Sequence, residues 1–154
     1  MINKKLKSKT KKFLLHVVLP LYLGGMLYIV YRTESLLMFS WFDFLGLKEP
    51  IAQLRNFKNE QLPHWLLFSL ADAIWVYSFT LMMLIIWDFE INKKNFYWIL
   101  LGAILGIGGE IAQLFGLTGT FDLWDLILSL VACVLAFIQT KNFQKLFNNK
   151  TDKD

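Results

Sequence analysis

Four long apolar runs divide this chain, at about 13–31, 65–87, 96–117 and 121–139. At about 1.5 Å of rise per residue the first makes roughly 28 Å of helix, enough to cross the hydrocarbon layer of a bilayer. The connection between the first two, residues 32–63, has an apolar pattern of its own. TESLLMFSWFDFLGL (33–47) is rich in Phe, Trp and Leu. It is too short to span and carries Asp43, so it predicts an interfacial or re-entrant helix. Lys48–Glu49–Pro50 breaks that run. In IAQLRNFK (51–58), Ile51, Leu54 and Phe57 recur at helical spacing, with Arg55 and Lys58 on other faces. That pattern predicts a short amphipathic piece on the membrane surface. The predicted fold is all-α: an integral membrane four-helix bundle with a short interfacial helical segment on its outer side.

Local signals refine each span. In the first, Pro20 predicts a kink and Gly24–Gly25 a close neighbour, while His16 sits near the basic end as an interfacial residue. In the second, Ser69 and Asp72 have the Ser-x-x-Asp spacing of a helix N-terminus, which starts the regular helix near Leu70. Trp87 and Asp88–Phe89–Glu90 mark the far interface, and 88–95 is a short polar loop. In the third, Gly102, Gly106, Gly109, Glu110 and Gln113 share one face. The Gly-x-x-x-Gly pair there permits close approach of another helix. The turn Gly116–Thr120 is short, so the last two spans form an antiparallel hairpin. Along the fourth, Asp122, Asp125, Ser129, Ala132, Cys133 and Ala136 make one small or polar stripe, which suits the glycine face of the third.

Composition agrees with the pattern. Of 154 residues, 56% are hydrophobic, and mean hydropathy is +0.46. One small membrane domain (13–139) fits this length, between a basic tail (1–12) and a polar tail (140–154) expected to fray. The net charge of +4 sits at the ends. Beside an apolar span, the lysine-rich tail reads as an orientation signal or a contact with anionic lipid, not a nucleic-acid site. It resembles the start of a signal peptide, but the apolar run is too long and no small-x-small site follows, which predicts a retained anchor. Cys133 is a packing residue; a single cysteine makes no intramolecular disulfide and no zinc pattern.

Lysine and arginine counts orient the bundle. With the N-terminus inside, the inner segments 1–12, 88–95 and 140–154 hold six, two and four basic residues, and the outer loop 32–63 holds four. This predicts a multi-pass membrane protein with both termini cytoplasmic. Asp72, Glu110, Asp122 and Asp125, from three helices, then converge in the outer leaflet, with Gln113, Ser69, Ser129, Tyr77 and His64 as candidate neighbours. Acids in hydrocarbon are costly and mark functional sites. Asp72, Asp122 and Asp125 also have a plainer reading as helix caps. Glu110 does not, because the C-terminal half of a helix disfavours negative charge; its plainer reading is a protonated carboxyl bonded to Gln113 or Ser129 for packing. No Lys or Arg lies within a span. The balancing charge is left open between a proton, Arg55 or Arg32 folding over the top, a metal ion and a cationic ligand. The spacing matches no metal motif, and no cofactor is implied.

Glu110-x-x-Gln113, a short turn, then Asp122 and Asp125 before an apolar span resembles the VanZ-like family of small bacterial membrane proteins. Its founding type is associated with resistance to lipoglycopeptide antibiotics. Asp72 looks like that family's acidic position at the start of the second span. The chain departs from the pattern where Gly119 stands for a turn Arg, Ser129 for an Asn, and Ala73 and Val76 for a Lys and a His. The resemblance implies a four-span envelope protein. The expected site comprises Asp72, Glu110, Gln113, Asp122 and Asp125. It would bind a polar or cationic headgroup of a membrane lipid, an envelope precursor or an amphiphilic drug. Two other readings stay open: a carboxylate-based enzyme acting on an envelope lipid or glycan, and an accessory subunit docking a partner through Gly102 and Gly106.

Overall fold

The computed structural model describes residues 10–58, 63–117 and 121–151, the side chains of His64 and of 144–151 excepted. Lys4, Lys5, Lys7 and Lys9 and the turn residues Thr118, Gly119 and Thr120 lie outside it. Every regular element among the described residues is helical. In chain order these are α1 (Leu19–Tyr31), α2 (Leu37–Phe44), α3 (Lys48–Arg55), α4 (Ser69–Ile86), α5 (Leu101–Leu114) and α6 (Leu123–Thr151). A π-helical turn, Leu14–Val18, leads into α1, and the single turns His64–Leu67 and Phe96–Ile99 precede α4 and α5. Three continuous helical stretches are long and apolar enough to cross a membrane: Thr10–Tyr31, Trp65–Ile86 and Leu123–Phe143.

The π turn explains how α1 tolerates Pro20. Proline has no N–H and its ring collides with the carbonyl four residues back. Widening the preceding turn, so that the Leu19 N–H reaches the Leu14 carbonyl, eases both problems. The third expected span is shorter than its apolar run. Helix α5 has 14 residues, about 21 Å at the usual rise, and a break at Leu100 separates it from Phe96–Ile99. Its end is set by Gly116, which takes a left-handed φ of +74°. The Gly116 N–H bonds the Gln113 carbonyl at 2.9 Å and the Leu117 N–H bonds that of Ala112 at 3.1 Å. This is a Schellman closure, in which glycine carries the αL position. Helix α4 ends the same way without a glycine. Asp88 and Phe89 take φ of 51° and 64°, and the Phe89 N–H reaches the Leu84 carbonyl at 2.7 Å.

Other boundaries also moved. Helix α3 begins at Lys48, ahead of the proline that was expected to break the run. Pro50 sits in its first turn, where a missing N–H costs nothing. Phe57 lies past its end and is 82% exposed. Helix α6 does not stop near Gln139 but continues to Thr151. Thr140 and Phe143 are buried, so packing on the rest of the protein extends beyond the expected span.

Helix α4 is the centre. Of its apolar window 44% is buried, against 11% for the N-terminal helix and 22% for α6. Helices α1, α5 and α6 each pack on it, and α5 also packs on α6. Small residues let the helices approach one another closely. Ala71, Ala73, Ala103, Ala132 and Ala136 are buried at these contacts. The nearest atoms to a Cβ built on Gly102 and Gly106 are Phe79 Cβ at 2.9 Å and Val76 Cγ2 at 2.6 Å. Gly24 likewise lies against Trp75. Larger side chains close the end opposite Asp72: Val17, Leu81, Leu84, Phe89, Ile99 and Phe143. The 88–95 loop belongs to that end too. Asn95 is fully buried; its side chain donates to the Glu90 carbonyl at 2.8 Å and accepts from the Asn92 N–H at 2.9 Å.

Candidate functional site

Glycine faces leave space as well as closeness. Between α4, α5 and α6 lies a cavity of about 540 Å³, lined at one end by Asp72, Glu110, Gln113, Asp125 and Ser129. Its other walls are apolar, including Trp75, Phe79 and Met83 of α4 and Leu101 and Leu105 of α5. Asp72 and Met83 lie eleven residues apart on one helix, so the polar-to-apolar gradient extends over about 16 Å. Asp72, Glu110 and Asp125 are near enough to interact electrostatically.

Each polar residue has a distinct local role. Asp72 does not cap its helix. The N-cap is Phe68, without a side-chain capping bond. The expected Ser69 cap is absent, and the Ser69 hydroxyl is buried without a partner. Asp72 instead accepts a hydrogen bond from Arg32 Nη2 at 3.2 Å. The Arg32 guanidinium lies over the rings of Tyr28 and Phe68, at 4.8 and 4.9 Å. Such stacking holds a planar cation in place. Of the two arginines considered for this place, Arg32 takes it. Arg55 turns to α1, donating to the Ile29 carbonyl at 2.6 Å and pairing with Glu34 at 3.3 Å. It thereby satisfies one of the carbonyls that a helix end leaves free.

The α5–α6 corner is built around the first amides of α6. Asp122 is its cap: Oδ1 accepts from the Trp124 N–H at 2.8 Å, two residues on as a capping side chain should. Among the candidate site residues, Asp122 alone is not on the cavity wall. In a capping box the residue three beyond the cap would bond back to the cap's own N–H. Here that residue is Asp125, but Glu110 of α5 performs the task, its Oε2 accepting from the Asp122 N–H at 3.3 Å. Glu110, only 8% exposed, thus bonds across the corner rather than to Gln113 or Ser129. Asp125 is released, and its buried Oδ1 has no hydrogen-bond partner.

Other expected neighbours lie elsewhere. Tyr77 meets His16 at 3.4 Å, and the His64 side chain is outside the described residues. Gly102 and Gly106, expected as a docking face for another protein, meet α4 of their own chain. Sequence reasoning missed the apolar half of the cavity. Its signal was present in Trp75, Phe79 and Met83, which follow Asp72 at helical spacing. Among the described residues no group of three acidic, histidine or cysteine side chains is placed to hold a metal ion. Comparison with protein-family models, curated proteins and solved structures finds no match.

Proposed function

We propose that the chain is a four-span protein of the bacterial cytoplasmic membrane, VanZ-like in its acidic pattern, which binds an amphiphile between α4, α5 and α6. The polar or cationic headgroup lies among Asp72, Glu110, Gln113 and Asp125, and the apolar tail runs past Trp75 and Phe79 toward Met83. The observation that carries this reading is one cavity that has carboxylates at one end and apolar walls along the rest. Its volume is in the range of small-molecule sites. In this reading α5 and its preceding turn, 96–114, complete the fourth crossing. Both termini face the cytoplasm, as the basic residues favour, and the acids face outward. The ligand is then a membrane lipid, an envelope precursor or an amphiphilic drug, and resistance to envelope-active drugs follows if the protein sequesters them.

Photo-crosslinking tests this. An amine-headed alkyl probe with a diazirine in its tail, added to the protein in phosphatidylcholine nanodiscs, should label Trp75, Phe79, Met83 or Leu105. Asp72→Leu combined with Asp125→Leu should reduce that labelling at least fivefold. Labelling confined to outward-facing side chains such as Leu130 and Val134 would remove the cavity as a binding site.

A further inference from the structure

Resting on the amphiphile reading, we infer that the headgroup is a primary ammonium, ligated by Asp125 and Ser129. The two other acids of the cavity already have partners, Asp72 in Arg32 and Glu110 in the Asp122 N–H. Asp125 has a buried oxygen without one. One turn further along α6, Ser129 also lines the cavity. It is 2% exposed, and its Oγ faces α5, 3.8 Å from where a Cβ on Gly106 would lie. Buried polar groups are almost always satisfied, so the open Asp125 oxygen, with the Ser129 hydroxyl one turn away on the same wall, points to a donor that occupies the space. Gln113 adds an amide oxygen from α5 on the same cavity.

The chemistry selects among donors. An ammonium carries three N–H groups and a charge, matching a carboxylate and two neutral oxygens. A quaternary ammonium carries the same charge but no N–H. It would leave Ser129 and Gln113 unpaired, a loss that typically discriminates more strongly than shape does. An anionic head would meet the Glu110 and Asp125 carboxylates and is disfavoured by charge. The same ammonium chemistry occurs on aminophospholipids and on soluble cationic amphiphiles.

The test is competition against the photoprobe by dodecylammonium and dodecyltrimethylammonium, with the full chain in phosphatidylcholine nanodiscs. The primary amine should compete at least tenfold more strongly. Asp125→Asn should abolish that preference and Ser129→Ala should reduce it at least threefold, with thermal midpoints near that of the unsubstituted protein. Ser129→Ala carries the test if Asp125→Asn does not fold. Equal competition by the two amines, or a preference surviving both substitutions, overturns the inference and leaves amphiphile binding intact. Competition by neither, together with absent cavity labelling, removes both. Repeating the comparison with lysophosphatidylethanolamine and lysophosphatidylcholine separates the sources. Stronger competition by the former than by dodecylammonium supports a lipid ligand, and weaker competition a soluble one.

Discussion

Gly102 and Gly108 sit on the same helix under opposite constraints. A Cβ at Gly102 would lie 2.9 Å from Phe79 Cβ, an atom that moves only with its backbone, whereas one at Gly108 meets nothing within 4 Å. Alanine gains about 1 kcal/mol of helix propensity at either position. Overpacking costs about 1–3 kcal/mol, so at Gly102 the steric loss wins. Gly102→Ala should lower the thermal midpoint in detergent, and Gly108→Ala should hold or raise it. A Gly102→Ala protein as stable as the parent would contradict the close α4–α5 contact. The same residue-level logic separates the acids. Identical carboxylates become a helix cap, an arginine partner, a corner bond and an unpartnered oxygen, according to which N–H lies within reach.

At the scale of elements, Arg55 ties the end of α3 to its neighbours, bonding the Ile29 carbonyl of α1 and lying over the ring of Phe39 of α2 at 5.2 Å. Arg55→Ala should therefore loosen α3 alone. Hydrogen exchange of the Ile51–Arg55 amides should quicken at least tenfold, with α4 unchanged, because local openings are confined to the unit that loses its contacts. Equal acceleration in α4 would mean that α3 is integral to the bundle. The helical class and the stretches at 13–31, 65–87 and 121–139 were legible because continuous apolar length is a one-dimensional signal. So was the small-residue stripe of α6, since Ser129, Ala132 and Ala136 are buried as their spacing required. Boundaries were less legible. The end of α5 depends on the φ of Gly116, and the reach of α6 depends on the pocket that receives Phe143. The site was half legible. Spacing along α5 placed Glu110 and Gln113 beside the glycines, but no spacing within one helix tells that Glu110 serves the Asp122 N–H or that Arg32 rather than Arg55 meets Asp72. Those are contacts between segments far apart in sequence.

For the whole molecule, the Arg32–Asp72 pair joins the end of α1 to the start of α4. Glu110, late in α5, meets the start of α6. The long helices α1, α4, α5 and α6 therefore alternate in direction along the chain, so that α4 and α6 run parallel, and the start of α1 lies at the same end as Phe143. Reporter fusions at the two termini should both show cytoplasmic activity, and a cysteine replacing Glu34 should react with an impermeant maleimide added to intact cells. Fusions reporting opposite sides would refute the proposed topology.

The central place of α4 has a consequence for how the protein is made. Its most extensive contact is with α6, which leaves the ribosome after α4 and α5. Until then Thr80, fully buried in the finished protein and beside Cys133 of α6, lacks its final neighbour. In the proposed membrane setting, a nascent chain with a polar group on a partly uncovered central helix is a client for whatever insertase or chaperone shelters half-made bundles, and its yield in the cell should depend on that helper more than on the stability of the finished fold.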